Sequence, residues 1–100
     1  MAEYRSPPPP LRGESRYSFM FHFYVLKSKK DGKLYLGSTG NLERRLEEHA
    51  SGRVKSTENR RPLELVYREA CVTKKEAQSR EGYFKGGGKA RNLLKQLINE

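Results

Sequence analysis

FMFHFYVLKSKKDGKLYLGSTGNLERRLEEH, Phe19 to His49, is the stretch that decides the fold. Its first part, FMFHFYVLKS, is rich in aromatic residues and apolar on both alternating faces near its middle, the pattern of a well-covered strand. KLYLG reads as a second, shorter strand. Between them Asp31-Gly32 is a strong hairpin signal, because both central residues of a type I′ turn need positive φ. GNLERRLEEHASG then reads as a helix, with Asn41 as its N-cap and Gly52 as its terminator. Leu42 and Leu46, four apart, supply its buried stripe.

The hairpin fixes which side chains share a face. With Asp31-Gly32 as a two-residue turn, Lys30 pairs with Lys33, Ser28 with Tyr35 and Leu26 with Gly37. Opposed residues share a face, and so do alternate residues on one strand. Tyr24, Leu26, Tyr35 and Gly37 are therefore expected to point the same way. A four-residue turn preserves that parity, whereas a one-residue slip breaks it. Two phenols then flank a glycine, an arrangement that suits a site and equally suits ordinary sheet packing.

Downstream, VKSTENRR is a polar connection and LELVYREA alternates as a third strand. Thr73 to Glu76 has the spacing of a capping box and opens a helix ending near Gly86. Ala90, Leu93, Leu94, Leu97 and Ile98 mark the apolar stripe of a last helix. The expected architecture is α/β (α+β): a three-stranded, mostly antiparallel sheet flanked by helices, in the order β-β-α-β-α-α. Upstream, residues 1–18 carry Pro7 to Pro10 and few aliphatic side chains, so they read as a proline-rich tail favouring polyproline II. Residues 19–100 form the expected domain.

Composition narrows the partners. Of 100 residues, 34% are hydrophobic and 33% charged, and 21 Lys and Arg outweigh 12 Asp and Glu to give +9. That balance points to a polyanion, since release of condensed counterions drives cationic proteins onto nucleic acid. Cys71 is the single cysteine, which excludes an internal disulfide and a cysteine-based zinc site; it reads as a small packed residue. The apolar run Phe19 to Leu26 is too short to span a bilayer, and the N-terminus lacks a basic-then-apolar signal pattern. The expected location is cytoplasmic.

Two further groupings stand out. Arg45 and His49 are neighbours on one helix face, and Arg44 and Glu48 form a parallel pair. On the following helix Ala77, Glu81 and Phe84 lie along one stripe. A carboxylate beside apolar residues is costly unless paired, whether with Lys85 four residues on, with another basic side chain or with a metal.

Taken together, FYVLKSKKDGKLYLGSTGNLERRLEEH and SREGYFK resemble a GIY-YIG nuclease domain, most closely the small, excinuclease-related single-domain type found in bacteria. Phe23-Tyr24-Val25 stands for the first motif and Tyr35-Leu36-Gly37 for the second. Arg45 matches the family's helix arginine, His49 the histidine of several members, and Glu81 the metal-binding glutamate. The likeness runs from about Phe21 to Leu94. Three features depart from it: Phe23 replaces the naming glycine, Ser38 stands where several members carry a basic residue, and the asparagine that follows the glutamate in some members has only Asn92 as a loose match.

The resemblance implies an endonuclease hydrolysing DNA phosphodiesters with Mg²⁺ or Mn²⁺, directed by DNA structure or damage during repair. On that basis Glu81 holds the ion, Arg45 stabilises charge on the phosphate, and Tyr24 takes a proton from the attacking water. Tyr35 orients water or phosphate. His49, whose ordinary pKa lies nearer neutrality, is an alternative acid or base. Gly37 is expected to allow close approach of the DNA backbone. Arg53, Lys55, Arg60 and Arg61 are expected to grip phosphates without reading bases. The alternative is a non-catalytic nucleic-acid-binding module of the same fold, and a partner protein remains open in either case.

Overall fold

The most apolar run of the chain becomes the middle strand of the sheet. In the computed structural model, which describes residues 20–99, β1 (Phe21–Ser28) lies between β2 (Leu34–Thr39) and β3 (Leu63–Cys71), antiparallel to both. Helix α1 (Leu42–Ala50) follows β2, and helices α2 (Lys74–Lys85) and α3 (Gly88–Leu97) follow β3. This is the expected β-β-α-β-α-α order. The proline-rich segment expected at 1–18 falls outside the described residues.

Both faces of β1 need cover, which is why its aromatic run lacks a clean alternation of polar and apolar residues. On one face Phe23, Val25, Leu36 and Tyr67 form a core with Phe84 of α2 and Ala90 and Leu94 of α3. Phe23 and Phe84 stack with ring centroids 5.3 Å apart. On the other face Tyr24 and Leu26 pack with Leu42 of α1, and Tyr35, Leu46, Leu63 and Leu65 close around them. A β-bulge between Val25 and Leu26 in the β1–β3 pairing adjusts β3 so that Leu65 opposes Leu26.

The β1–β2 turn departs from the sequence expectation. Ser28 N donates to the Lys33 carbonyl at 2.9 Å and Gly32 N to the Ser28 carbonyl at 2.8 Å, so the loop is longer than two residues. Ser28 Oγ accepts from the amides of Lys30 and Asp31, and Asp31 Oδ1 accepts from the amide of Lys33. These side-chain bonds offer the backbone a wider turn than the Asp-Gly signal alone implies. Gly32 still takes positive φ, at 73°. The register moves by two residues, pairing Leu26 with Tyr35 and Tyr24 with Gly37. An even shift keeps every side chain on its face, so the expected parity of Tyr24, Leu26, Tyr35 and Gly37 survives.

Helix boundaries follow the caps. Asn41 accepts from the Arg44 amide, Gly52 has φ 82° just past α1, and Thr73 and Glu76 complete the capping box of α2. The stripe expected on α3 is narrower than its sequence implies. Ala90 and Leu94 are buried, Leu97 and Ile98 pack at the margin, and Leu93 is 39% exposed. One 100° step separates Leu93 from Leu94, and a ten-residue helix resting on a neighbour covers only the arc that touches it. Cys71 is buried, as expected of a packed residue.

Candidate active site

The pairing of Tyr24 with Gly37 is the centre of the site. Gly37 is buried on the edge strand, and a Cβ added there would lie 2.6 Å from both Cζ and Oη of Tyr24. No side chain fits, because the Tyr24 phenol already occupies that space. The glycine expected to admit a DNA backbone thus admits a tyrosine ring from the neighbouring strand. The ring is anchored, with Tyr24 only 1% exposed, and Tyr35 sits alongside at 6.4 Å between centroids.

Helix α1 lays its histidine against both phenols. The His49 ring is 5.8 Å from that of Tyr24 and 5.0 Å from that of Tyr35, edge-on to each. Its Nε2 lies 3.0 Å from Tyr24 Oη, and its Nδ1 lies 2.8 Å from Thr57 Oγ1. Thr57 Oγ1 donates to the Val54 carbonyl at 3.5 Å. Both ring nitrogens therefore face hydroxyls, and the tautomer of His49 sets in which of the two contacts the ring donates. His49 is also held neutral: burial, then the Arg45 charge, push it down to about 4 against the opposing pull of Glu48.

Tyr24 itself is held protonated. Burial pushes its phenol up to about 12, Arg45 opposes that rise, and Tyr35 and Glu81 add to it. Arg45 lies against both phenols, and its contact with Tyr24 strengthens its own hold on the proton. Its Nη1 also donates to Glu48 Oε1 at 3.0 Å, while the Arg44–Glu48 pair expected from sequence is looser, at 3.9 Å. The Arg45 side chain is 36% exposed, so part of the guanidinium faces solvent beside the tyrosines.

Glu81 reaches the same edge of the sheet from the opposite side. Ser38 is adjacent to Gly37 on β2 and therefore points to the α2 face. Its Oγ donates to Glu81 Oε1 at 2.7 Å, and Lys85 Nζ donates to Glu81 Oε2 at 2.6 Å. Tyr24, Tyr35, Arg45 and His49 thus gather on the α1 face, with Glu81 behind the edge strand β2, near enough for its charge to act on Tyr24. Sequence reasoning treated Ser38 only as a departure from a family pattern; here it orients the carboxylate. Thr57 was missed, since no helical or strand period links a loop threonine to His49.

The donor set suits a hard cation bound through one carboxylate. Among the described residues no three His, Cys, Asp or Glu side chains converge on a metal position. A small divalent ion that keeps most of its waters needs only one or two carboxylates plus substrate phosphate. Glu81 can supply that oxygen. Its ion pair with Lys85 is a weak hindrance, because the lysine side chain is 53% exposed and exposed i,i+4 pairs contribute about 0.3–0.5 kcal/mol.

A family model described as the GIY-YIG catalytic domain matches residues 20–95. The chain belongs to the GIY-YIG family. A UPF0213 protein of Bacillus pumilus is 51% identical over 65 residues, 64% of this chain and 65% of that protein. A UPF0213 protein of Clostridium perfringens is 47% identical over 81 residues, covering 80% of this chain and 84% of the relative. The solution NMR structure of a UPF0213 protein from Bacillus halodurans aligns with a TM-score of 0.50 at 34% identity, over 80% of this chain and 83% of that one. In this GIY-YIG domain the two name-giving motifs are paired segments of adjacent strands. The glycine of the second leaves room for the tyrosine of the first.

The basic connection of the GIY-YIG domain divides in two. Arg60 Nη2 donates to the Leu34 carbonyl at 3.3 Å, and Arg61 donates to the carbonyls of Glu58 and Ala50, so both guanidiniums brace the loop. Arg53 and Lys55 are exposed. No helix among the described residues is long and apolar enough to cross a membrane.

Proposed function

We propose that this GIY-YIG protein is a cytoplasmic endonuclease that hydrolyses DNA phosphodiesters with Mg²⁺ or Mn²⁺, directed to branched or damaged DNA in repair. The observation that carries the reading is the Tyr24 Oη–His49 Nε2 contact of 3.0 Å, set between the Arg45 guanidinium and the edge strand that holds Glu81. A hydroxyl donating to a neutral imidazole, beside a cation that matches phosphate, is the equipment of a proton-transferring phosphodiesterase.

The proton path runs through the Tyr24–His49 contact, with the phenol donating to Nε2. The attacking water gives its proton to Tyr24 Oη as the phenol passes its own to His49 Nε2, so no free phenolate is required. Burial first and the Arg45 charge second hold His49 low, so imidazolium beside Arg45 is costly. A bound phosphate offsets the Arg45 charge and relieves that cost, so substrate binding readies the histidine. Arg45 donates paired hydrogen bonds to the phosphoryl oxygens as charge accumulates. Glu81 would hold the divalent cation, which would supply Lewis-acid polarisation of the phosphoryl group and neutralisation of the leaving oxygen. Arg53 and Lys55 contact the backbone of the strand without reading sequence.

The test is nicking of supercoiled plasmid and of branched duplexes with Mg²⁺ or Mn²⁺, together with its loss on chelation. Metal-dependent nicking is the expected result. Salt-sensitive binding with no cutting over a broad set of DNA and RNA structures would favour the non-catalytic module instead. Arg45→Lys should lower cleavage on the order of 10²-fold, the usual scale for one transition-state donor, because an ammonium lacks the planar fork. Single-turnover cleavage beside an affinity measurement separates that loss from weakened binding.

A further inference from the structure

Thr57 lies in the connection after α1, in no strand and at no metal position, yet it is fully buried and touches His49. Its amide donates to the Val54 carbonyl at 3.1 Å, and its own carbonyl accepts from the Arg60 amide at 2.9 Å. Its side chain is 0% exposed, and Oγ1 is 2.8 Å from His49 Nδ1. The backbone of the turn thus fixes where the hydroxyl stands.

We infer that Thr57 is a positioning residue: it holds His49 in the Nδ1–H form and thereby keeps Nε2 free to accept the Tyr24 proton. The inference rests on the nuclease reading for its consequence in catalysis, and on hydrogen-bond bookkeeping for its structural content. A neutral imidazole carries one hydrogen on one of two nitrogens, and the partner of the other nitrogen selects which. At Nε2 the partner is a phenol that is able either to donate or to accept. At Nδ1 the partner is the Thr57 hydroxyl at 2.8 Å, with the Val54 carbonyl at 3.5 Å as an alternative acceptor for its hydrogen. With Thr57 in place, the acceptor end of the ring faces Tyr24.

Removing the hydroxyl reverses this preference. In Thr57→Val the volume is nearly kept, but Nδ1–H loses its acceptor inside a closed space. A buried donor without a partner is unfavourable, whereas moving the hydrogen to Nε2 satisfies it against Tyr24 Oη. The ring then donates to the phenol and no longer takes its proton. The other groups facing the ring are Arg45 and Glu48 from α1 and Tyr24 and Tyr35 from the sheet; the substitution leaves all four in place.

The experiment is ¹⁵N NMR of the His49 ring in the full chain at neutral pH, for wild type, Thr57→Val and Thr57→Ser, with nicking assays on the same proteins. The wild type and Thr57→Ser should show protonated Nδ1 and bare Nε2, and Thr57→Val the reverse. Nicking by Thr57→Val should fall on the order of 10²-fold, the scale of one acid–base contribution, with DNA affinity within about twofold and Thr57→Ser restoring most of the rate. A wild-type ring already protonated at Nε2 would overturn the inference, whatever the folding of the variants. So would a Thr57→Ser protein as impaired as Thr57→Val, since that outcome assigns the residue to packing. If the wild type cuts nothing, the ring nitrogens still decide the assignment to Thr57, and the nuclease reading fails separately.

Discussion

Glu81→Ala should abolish nicking, with a fall of at least about 10³-fold, equivalent to about 4 kcal/mol of transition-state stabilisation, while DNA affinity stays within about threefold. The asymmetry comes from where the carboxylate stands. It lies behind β2, bonded to Ser38 Oγ and Lys85 Nζ, and away from the exposed Arg53 and Lys55. Deleting it leaves Arg53 and Lys55, which we propose grip the phosphate backbone, and removes the oxygen that would hold the cation. Loss of an anion near DNA is neutral or favourable for binding, so reduced affinity cannot account for lost cutting. Loss of the Lys85 pair should cost little, because the lysine side chain is 53% exposed, and loss of the part-buried Ser38 bond adds about 1 kcal/mol. Gel-shift titrations with and without Mg²⁺, beside single-turnover nicking, separate these terms. Wild-type nicking by the alanine variant would remove Glu81 from the chemistry and leave the cation without a protein ligand in this site.

The same residue marks how far a sequence reading carries. The stripe Ala77, Glu81 and Phe84 set a carboxylate beside apolar residues. It left open whether a lysine or a metal would meet it. The structure adds a third partner, Ser38, which comes from a strand 43 residues earlier and which no local period connects to α2. The hairpin illustrates a different limit. Asp31-Gly32 suggested a two-residue turn, but Ser28 and Asp31 side chains rebuilt the loop. Face assignment survived because it depends on the parity of the register and not on its value, so Tyr24 and Tyr35 were placed correctly by a pairing that was itself two residues off. Helix caps were legible because each is a contact within four residues. Thr57 was illegible for the opposite reason: its contact with His49 crosses the end of α1 and a turn, and its importance lies in the choice of a hydrogen, which sequence patterns do not encode.

Gly37→Ala should be the most damaging glycine-to-alanine change among the described residues, lowering nicking by on the order of 10²-fold or more and destabilising the fold by about 1–3 kcal/mol. The added carbon would sit 2.6 Å from Cζ and Oη of Tyr24, against an ordinary carbon–carbon separation of about 3.5–4 Å. Something must move by about 1 Å. Backbone movement of β2 is opposed by its ladder to β1, and the phenol is enclosed, at 1% exposure, by Tyr35 and His49. Whichever yields, the 3.0 Å approach of Oη to His49 Nε2 is altered, and a misplacement of about 1 Å at a reacting group is enough for a loss of about 10²-fold. Gly82→Ala provides the contrast. Its added Cβ meets nothing within 4 Å on an exposed turn of α2, and replacing a mid-helix glycine should stabilise by roughly 0.5–1 kcal/mol without slowing cleavage. Denaturant unfolding and nicking of the two variants together distinguish a clash with Tyr24 from general intolerance of glycine replacement. Were Gly37→Ala to cut at the wild-type rate, the position of Tyr24 against β2 would carry no catalytic weight, and His49 would have to take its proton from water by another route.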